Sequence, residues 1–323
     1  RTYAALGASD NLQMVEDDDR HTSTKKNREA MYAFFQKELN NPGSAADLEV
    51  EIPTPEELQV SKTGQLVSSF NGKTIHQLNK DKVTQQVEAL NISRKNIEAH
   101  IKNVVLKAKQ ISGYHTPLDY GKTIFSGRYV HPGRVMEKYL LTGSGDYQIP
   151  AIVLKPTNKH KNEIILYLDS EGMETALHED SPVFDLVNQG YSVLLADLPG
   201  IGSLGPGYLK GDSYIGGISY NQWFGAMLVG KAFTGLRTED LMRLLNFAER
   251  SLGAKTGVSA IAKGPLGGEL LHAAAFNKNI KKVALIAPFL SYADIASTHL
   301  YNPAYIPFTV PGALNAYDLP DLM

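Results

Sequence analysis

Residues 258–276, VSAIAKGPLGGELLHAAAF, have the pattern of an apolar strand, a tight glycine turn and a helix. A turn of this kind can hold a nucleophilic serine at strained backbone angles, where a general base reaches its hydroxyl. Aligned on the paired glycines Gly267 and Gly268, the nucleophile position falls on Pro265. The next residue, Leu266, would donate a backbone N–H to the oxyanion of an acyl-transfer reaction.

Pro265 has no group that can attack a carbonyl carbon. Proline also fixes φ near −65°, whereas nucleophiles on such turns usually have a positive φ. The nearest serine, Ser259, lies within the predicted strand. The sequence therefore predicts a reshaped turn whose chemistry has been lost.

Two further segments could contribute to acyl transfer. Gly172 follows the apolar strand that ends in YLD, where a glycine lets the backbone approach a substrate and donate a second N–H to an oxyanion. A solvated polar loop around Glu171 is the alternative. His21, in EDDDRHTST, follows a candidate strand at residues 11–16 and precedes a predicted helix at 27–39. It occupies the position of a triad histidine in hydrolases with the chain order Ser, Asp, His, although ordinary surface histidines share this pattern.

The chain also contains a G-x-G-x-x-G pattern at Gly200, Gly202 and Gly205. A dinucleotide site would need a helix starting inside the glycines and an acidic residue about 20 positions later. Pro206 extends the loop instead, and residues 213–235 contain no acid. The nine histidines form no H-x-H or H-E-x-x-H pattern and there is no cysteine. We therefore expect neither a cofactor nor a metal ion.

Composition narrows the classes of partner. The chain has 323 residues, of which 43% are hydrophobic, and a formal net charge of −2. It can bury a sizeable core, but its overall charge provides no field that would collect nucleic acid. No apolar run approaches the roughly 20 residues that span a bilayer. We expect no nucleic-acid partner and no membrane insertion.

From residue 120 onward, strand patterns alternate with helical patterns. The last four predicted strands are nearly continuous apolar runs, as expected when helices cover both faces of a parallel sheet. The earlier ones resemble an antiparallel entry to the same sheet. The predicted strands are 123–129, 136–142, 149–155, 163–169, 192–197, 258–262 and 282–287. The predicted class is α/β, a mostly parallel sheet flanked by helices with a helical and β-ribbon appendage.

Several segments resemble α/β-hydrolases of the acetyl xylan esterase and cephalosporin deacetylase branch, in particular large bacterial members with two hydrolase units in tandem. GYSVLLADLPGIGSLG resembles the region of the fourth strand, GPLGGELLHAAAF the helix after the nucleophile, and VPGALNAYDLPDLM the segment before the seventh strand. NLQMVEDDDRHTSTKKNREAMYAFFQKEL resembles the end of such a unit and places His21 on the triad histidine.

The order of these segments leads to a division of the chain. Residues 1–43 are interpreted as the C-terminal strand, histidine and helix of an upstream hydrolase unit, which would contact the rest of the chain. Residues 44–113 are predicted to be a linker with a β-ribbon near Asn71 and Gly72 and two helices, about 80–90 and 93–111, the second with Ser93 as its N-cap. Residues 114–323 are predicted to form a hydrolase-like domain without its C-terminal strands. The resemblance implies a secreted or periplasmic protein.

The resemblance implies that the parent protein removes acyl groups from carbohydrate by a Ser-His-Asp triad, with an oligosaccharide or other small ester as substrate. This chain alone would be inactive, because Pro265 stands at the nucleophile position. One alternative is a non-catalytic domain that binds carbohydrate or braces a partner domain. Another is a peptidase or dienelactone-type hydrolase of the same fold, which sequence does not separate. The candidates for an aromatic sugar-binding cleft are Tyr208, Tyr214, Tyr220, Trp223 and Phe224. These residues also suit an ordinary lid or core, where aromatic side chains are found more often.

Overall fold

The chain is organised in two compact units, residues 1–72 and 73–323. The computed structural model describes residues 1–158, 160–178, 180–208, 211–215, 218–254 and 256–323. Within those residues, no helix has the length and apolar character required to cross a membrane. Each unit is described by itself below.

The first unit contains three helices: α1 (Thr2–Ala5), α2 (Lys25–Glu38) and α3 (Leu66–Phe70). Helix α2 begins where the Thr24 hydroxyl accepts the Asn27 N–H at 3.3 Å. The strand predicted at residues 11–16 was wrong, because a 3-10 turn at Ser9–Asn11 is followed by residues that pair with no other strand. The ribbon predicted near Asn71 was also wrong. Asn71 adopts a left-handed φ of 52° that ends α3, a conformation that serves a helix terminus as well as a hairpin.

The second unit is built on a seven-stranded sheet. Its strands are β1 (Thr123–His131), β2 (Arg134–Thr142), β3 (Gln148–Pro156), β4 (Ile164–Asp169), β5 (Ser192–Ala196), β8 (Val258–Lys263) and β9 (Ile280–Ile286). Their order across the sheet is β1-β2-β3-β5-β4-β8-β9. Strands β1, β2, β3 and β5 pair antiparallel, while β5, β4, β8 and β9 run parallel. A separate pair, β6 (Tyr214–Ile215) and β7 (Ile218–Ser219), forms a short ribbon. The prediction of an antiparallel entry to a parallel sheet is confirmed.

Helices cover both faces of this sheet. The helices of the described residues in this unit are α4 (Ile75–Arg94), α5 (Ile97–Ser112), α6 (Pro182–Asn188), α7 (Asn221–Leu228), α8 (Phe233–Ser251), α9 (Gly267–Phe276) and α10 (Tyr292–Ser297). Of these, α8 and α9 lie on one face of the sheet and α6 lies on the other. Along β4, Leu166 and Leu168 join the core beneath α8 and α9, whereas Tyr167 joins the core beneath α6. This alternation explains why β4 is apolar throughout, since both of its faces are buried.

The two helices predicted within residues 80–111 are α4 and α5, and both pack inside the second unit. The N-cap of α5 is Asn96, whose side chain accepts the Ala99 N–H at 3.3 Å, and not Ser93. Ser93 lies in the last turn of α4, where its hydroxyl bonds to His100. The sequence pattern alone does not distinguish these two roles of a serine.

Candidate functional site

The turn between β8 and α9 is the candidate site, because it lies where a hydrolase would hold its nucleophile. Strand β8 ends at Lys263, and a 3-10 turn at Gly264–Leu266 leads into α9. Gly264 has a φ of +74°. Since Pro265 cannot adopt a positive φ, the left-handed position lies one residue earlier than the glycine alignment places it. The backbone position suited to a nucleophile is thus occupied by a residue without a side chain.

Ser170 fills the space beside this turn. Its hydroxyl donates to the Lys263 carbonyl at 2.7 Å and accepts the Leu266 N–H at 3.0 Å. Leu266 was the first predicted oxyanion donor, and its N–H is already satisfied within the protein. Ser170 itself donates its proton to a carbonyl, which cannot act as a general base. Sequence reasoning missed this role because Ser170 and Leu266 are 96 residues apart.

Gly172, the second predicted oxyanion donor, is also engaged. It is buried, has a φ of +104° and donates its N–H to the Asp169 carbonyl at 3.0 Å. A Cβ at this position would lie 2.7 Å from the Cα of Gly202. The structure therefore uses Gly172 for a tight turn and for close approach of the loop after β5.

The carboxylate of Asp197 joins these two loops. It is 2% exposed and accepts the Met173 N–H at 2.7 Å, together with the Ser203 N–H at 2.8 Å and the Ser203 hydroxyl at 2.7 Å. Hydrogen bonds to a charged acceptor are stronger than neutral ones. The loops after β4 and β5 are thus held together over the end of the sheet. Gly200 and Gly202 belong to the second loop, in which the 3-10 turn Gly202–Leu204 replaces the helix that a dinucleotide site requires.

We predict that Gly172→Ala lowers the free energy of unfolding by about 2–3 kcal/mol. An alanine at this positive φ is strained, and its Cβ would also overlap with the Cα of Gly202. Gly230→Ala is the matched control. Gly230 has a φ of +76° and nothing within 4 Å of an added Cβ, so it should lose only about 1 kcal/mol. Urea denaturation measures the free energy of unfolding of both variants. Equal losses would show that the contact with Gly202 contributes nothing.

An ion pair closes the same end of the sheet. Lys263 Nζ lies 3.0 Å from Asp169 Oδ2, with the lysine side chain 43% exposed and the aspartate 2% exposed. The hydrogen bond to Asp169 raises the pKa of Lys263. A protonated ammonium cannot accept a proton from Ser170, which excludes a serine–lysine pair. In the described part of the chain, no imidazole is hydrogen-bonded to Ser170.

A buried ion pair lies at the start of α9. Arg237 Nη1 and Glu269 Oε1 are 2.9 Å apart, and the two side chains are 1% and 0% exposed. Arg237 also donates to the carbonyls of Pro199 at 2.9 Å and Pro307 at 3.1 Å. Burial raises the pKa of Glu269, while Arg237 opposes this shift. The arginine therefore ties the loop after β5, helix α9 and residues 298–323, the C-terminal segment, into one structure.

A second constellation, missed from the sequence, has the residue types of a catalytic triad. The Ser93 hydroxyl lies 2.9 Å from His100 Nδ1, and His100 Nε2 lies 3.0 Å from Asp321 Oδ1. Arg94 forms two hydrogen bonds with the same carboxylate, at 2.7 and 2.8 Å. In a serine hydrolase the histidine Nε2 faces the serine and Nδ1 faces the aspartate, whereas His100 has the opposite arrangement. Asp321 is also shared with the Arg94 guanidinium. We interpret this cluster as a clamp that joins α4, α5 and the C-terminal segment.

His21, the predicted triad histidine, is exposed and lies in the first unit. Among the described residues, no hydrogen bond to its imidazole is present. Its assignment to the triad of an upstream unit stays a prediction.

The aromatic residues considered as a sugar surface differ in exposure, from buried Tyr220 to exposed Phe224 and Tyr208. Tyr220 is buried and donates its hydroxyl to the Pro303 carbonyl at 2.9 Å, and the Trp223 and Phe224 rings pack 4.9 Å apart. Tyr208 is 94% exposed. Tyr220 therefore belongs to the core, and these side chains do not line one of the larger cavities of the described residues together.

The sequence matches no family model and no curated protein. The structure is similar to that of an acetyl xylan esterase candidate from Bacteroides fragilis, with a TM-score of 0.56, 16% identity, 71% of this chain covered and 65% of that one. An acetyl xylan esterase from Paenibacillus sp. R4 aligns with a TM-score of 0.45, 19% identity and coverages of 63% and 64%. Acetyl xylan esterase 1 from a Thermoanaerobacterium species aligns with a TM-score of 0.44 and 17% identity, with 70% of this chain and 74% of that one covered.

The chain spans less than two thirds of the first two of these structures. At such identities the first similarity establishes the fold, while the two lower scores carry no argument of their own. The protein has an α/β-hydrolase fold, and its structural neighbours are acetyl xylan esterases and related esterases.

Proposed function

We propose that residues 73–323 form a catalytically inactive unit of an esterase-like protein whose parent activity removes acyl groups from carbohydrate. The observation that carries the proposal is the occupied turn after β8. Ser170 accepts the Leu266 N–H, and the Asp169 carbonyl accepts that of Gly172. The name of the Bacteroides fragilis neighbour, an acetyl xylan esterase candidate, supports the substrate class.

Ester hydrolysis by this fold needs a nucleophile on the turn, a general base and two free backbone donors for the oxyanion. The turn offers Gly264 and Pro265, neither of which has a nucleophilic side chain. Lys263 is held as a cation by Asp169. With every one of these requirements unmet, the unit retains the architecture of a hydrolase and lacks its chemistry.

Two hydroxyl groups are the competing candidates for a nucleophile. Ser170 lies next to the turn, and Ser93 is hydrogen-bonded to His100. Each serine has a structural role, because its hydrogen bond joins two neighbouring elements. A serine that acts as a nucleophile would nevertheless react with a serine-directed probe. The parent protein would supply a complete triad from another unit, to which His21 is the proposed contributor.

The test is hydrolysis of 4-nitrophenyl acetate by the chain, together with labelling by a fluorophosphonate probe that reacts with activated serines. We expect a rate no higher than that of heat-denatured protein, and no labelled serine. Ser170→Ala, Ser93→Ala and His21→Ala should leave this background unchanged, with a known serine esterase as the positive control. A labelled Ser170 or Ser93, with hydrolysis lost in the matching alanine variant, would overturn the proposal.

A further inference from the structure

A cavity of about 490 Å³ lies within the second unit, between α4 and residues 292–314. It shares no lining residue with the turn after β8. Its inner wall is apolar and buried, as shown by Ile295, Val310 and Leu314, which are 8%, 3% and 8% exposed. Its size falls in the usual range for small-molecule sites, about 300–1,000 Å³.

The rim of this cavity is polar and aromatic. Helix α4 contributes His76 and Asn79, and the opposite side contributes Thr298, His299 and Tyr301. The rings of His76 and His299 meet edge to face, with centroids 4.8 Å apart. Tyr301 is 41% exposed. Flat rings and hydrogen-bonding groups therefore surround the entrance to an apolar interior.

The residues that line the cavity limit the chemical class of ligand that it can bind. Among the described residues that line the cavity there is no Asp, Glu, Lys or Arg. A phosphate or carboxylate ligand would have no arginine or lysine to pair with. A purely apolar ligand would remove the rim's amide and hydroxyl groups from water without replacing their hydrogen bonds, which is unfavourable.

A neutral ligand with an apolar face and several hydroxyl groups satisfies both conditions. A pyranose ring has this chemistry, because its C–H face can contact aromatic rings while its hydroxyls both donate and accept hydrogen bonds. We infer that this cavity binds a neutral oligosaccharide. This inference goes beyond the proposed function, since it concerns a separate cavity and needs no catalysis.

The walls of the cavity are preorganised for such a ligand. The Gln86 side chain donates to Asn315 Oδ1 at 2.8 Å, which joins α4 to the C-terminal segment. A capping box between Thr74 and Gln77 fixes the start of α4 next to His76. The Thr309 hydroxyl donates to the Ile306 carbonyl at 2.8 Å. Walls held by their own hydrogen bonds need less ordering when a ligand binds.

The test is calorimetric titration with xylotriose, cellotriose and mannotriose. We expect at least one of them to bind with a dissociation constant of about 1 mM or below. Tyr301→Ala and His299→Ala should each weaken binding about tenfold, since truncating a ring that stacks on the ligand commonly costs that much. Tyr129→Ala and His131→Ala are matched controls, because both residues are exposed and neither lines the cavity.

Failure of all three trisaccharides to bind would overturn the inference, as would equal affinity in Tyr301→Ala and the control variants. Binding of sodium hexanoate with loss in His299→Ala, without any sugar binding, would overturn the assignment of ligand class. The choice of xylotriose rests on the proposed function. Binding of cellotriose or mannotriose but not xylotriose would therefore support the cavity while counting against the xylan connection. Because these readouts measure binding, they are independent of the esterase assay.

Discussion

Glu269→Ala is expected to lower the free energy of unfolding by about 3–5 kcal/mol, the usual cost of leaving one charge of a buried pair without its partner. Arg237 would remain between the rings of Phe233 and Phe308, at 4.1 and 4.3 Å from their centroids, without a carboxylate. Its side chain is only 1% exposed, so water cannot replace Glu269 unless the structure opens. Chemical denaturation followed by circular dichroism measures the loss.

Glu98→Ala is the matched control for this variant. Glu98 also lies in the first turn of a helix, α5, but is exposed, so its removal should cost less than about 1 kcal/mol. The double variant Arg237→Met with Glu269→Leu should recover much of the stability, because apolar side chains of similar volume can replace a buried pair. A loss below about 1 kcal/mol for Glu269→Ala would show that the pair does not hold these segments together.

The second large effect is a loss of stability in acid that depends on His272. This side chain is fully buried in α9, with Nδ1 2.7 Å from the Gly268 carbonyl and Nε2 2.8 Å from the Tyr317 hydroxyl. The carbonyl can only accept, so Nδ1 carries the proton and Nε2 accepts from Tyr317. Burial lowers the pKa of His272 from 6.5 to about 4. The folded protein therefore holds the neutral imidazole.

The direction of this pH dependence follows from the difference between the pKa of His272 in the folded and the unfolded protein. Above pH 6.5 the imidazole is neutral in both states, and its contribution to stability is fully present. As the pH falls from 6.5 towards 4, the unfolded chain takes up a proton that the folded protein does not. The free energy of unfolding should then fall by about 1.4 kcal/mol per pH unit, up to about 3 kcal/mol.

The matched variant is His272→Gln, which does not titrate. Denaturation at pH 8, 6.5, 5.5 and 4.5 should show a shallower decline for this variant than for the unmodified chain. Asp240 acts in the opposite direction in both proteins, because burial raises its pKa to about 6 and the folded state takes up its proton first. Parallel pH profiles for the two proteins would contradict the role assigned to His272.

The main features of the second unit's fold could be read from local sequence. The runs that became β4, β5 and β8 are apolar because both faces of the sheet are covered, so period and composition were sufficient to find them. The missing nucleophile could also be read directly, because no backbone arrangement gives Pro265 or Gly264 a reactive side chain. The ribbon near Asn71 failed because an Asn-Gly pair favours a left-handed turn in several contexts, including the end of α3.

Sequence by itself determined the α/β class, the strand–turn–helix at the candidate site and the absence of a nucleophilic side chain at Gly264 and Pro265. Only the tertiary structure decided that Ser170 and Asp169 accept the N–H groups of Leu266 and Gly172, the two predicted oxyanion donors. It also decided that Arg237 is buried against Glu269 and that a cavity without Asp, Glu, Lys or Arg among its described lining residues opens beside α4. The physical reason is the range of the interactions. Secondary structure and side-chain reactivity are set by neighbouring residues, whereas Ser170 and Leu266, or Gln86 and Asn315, meet only after the chain between them has folded.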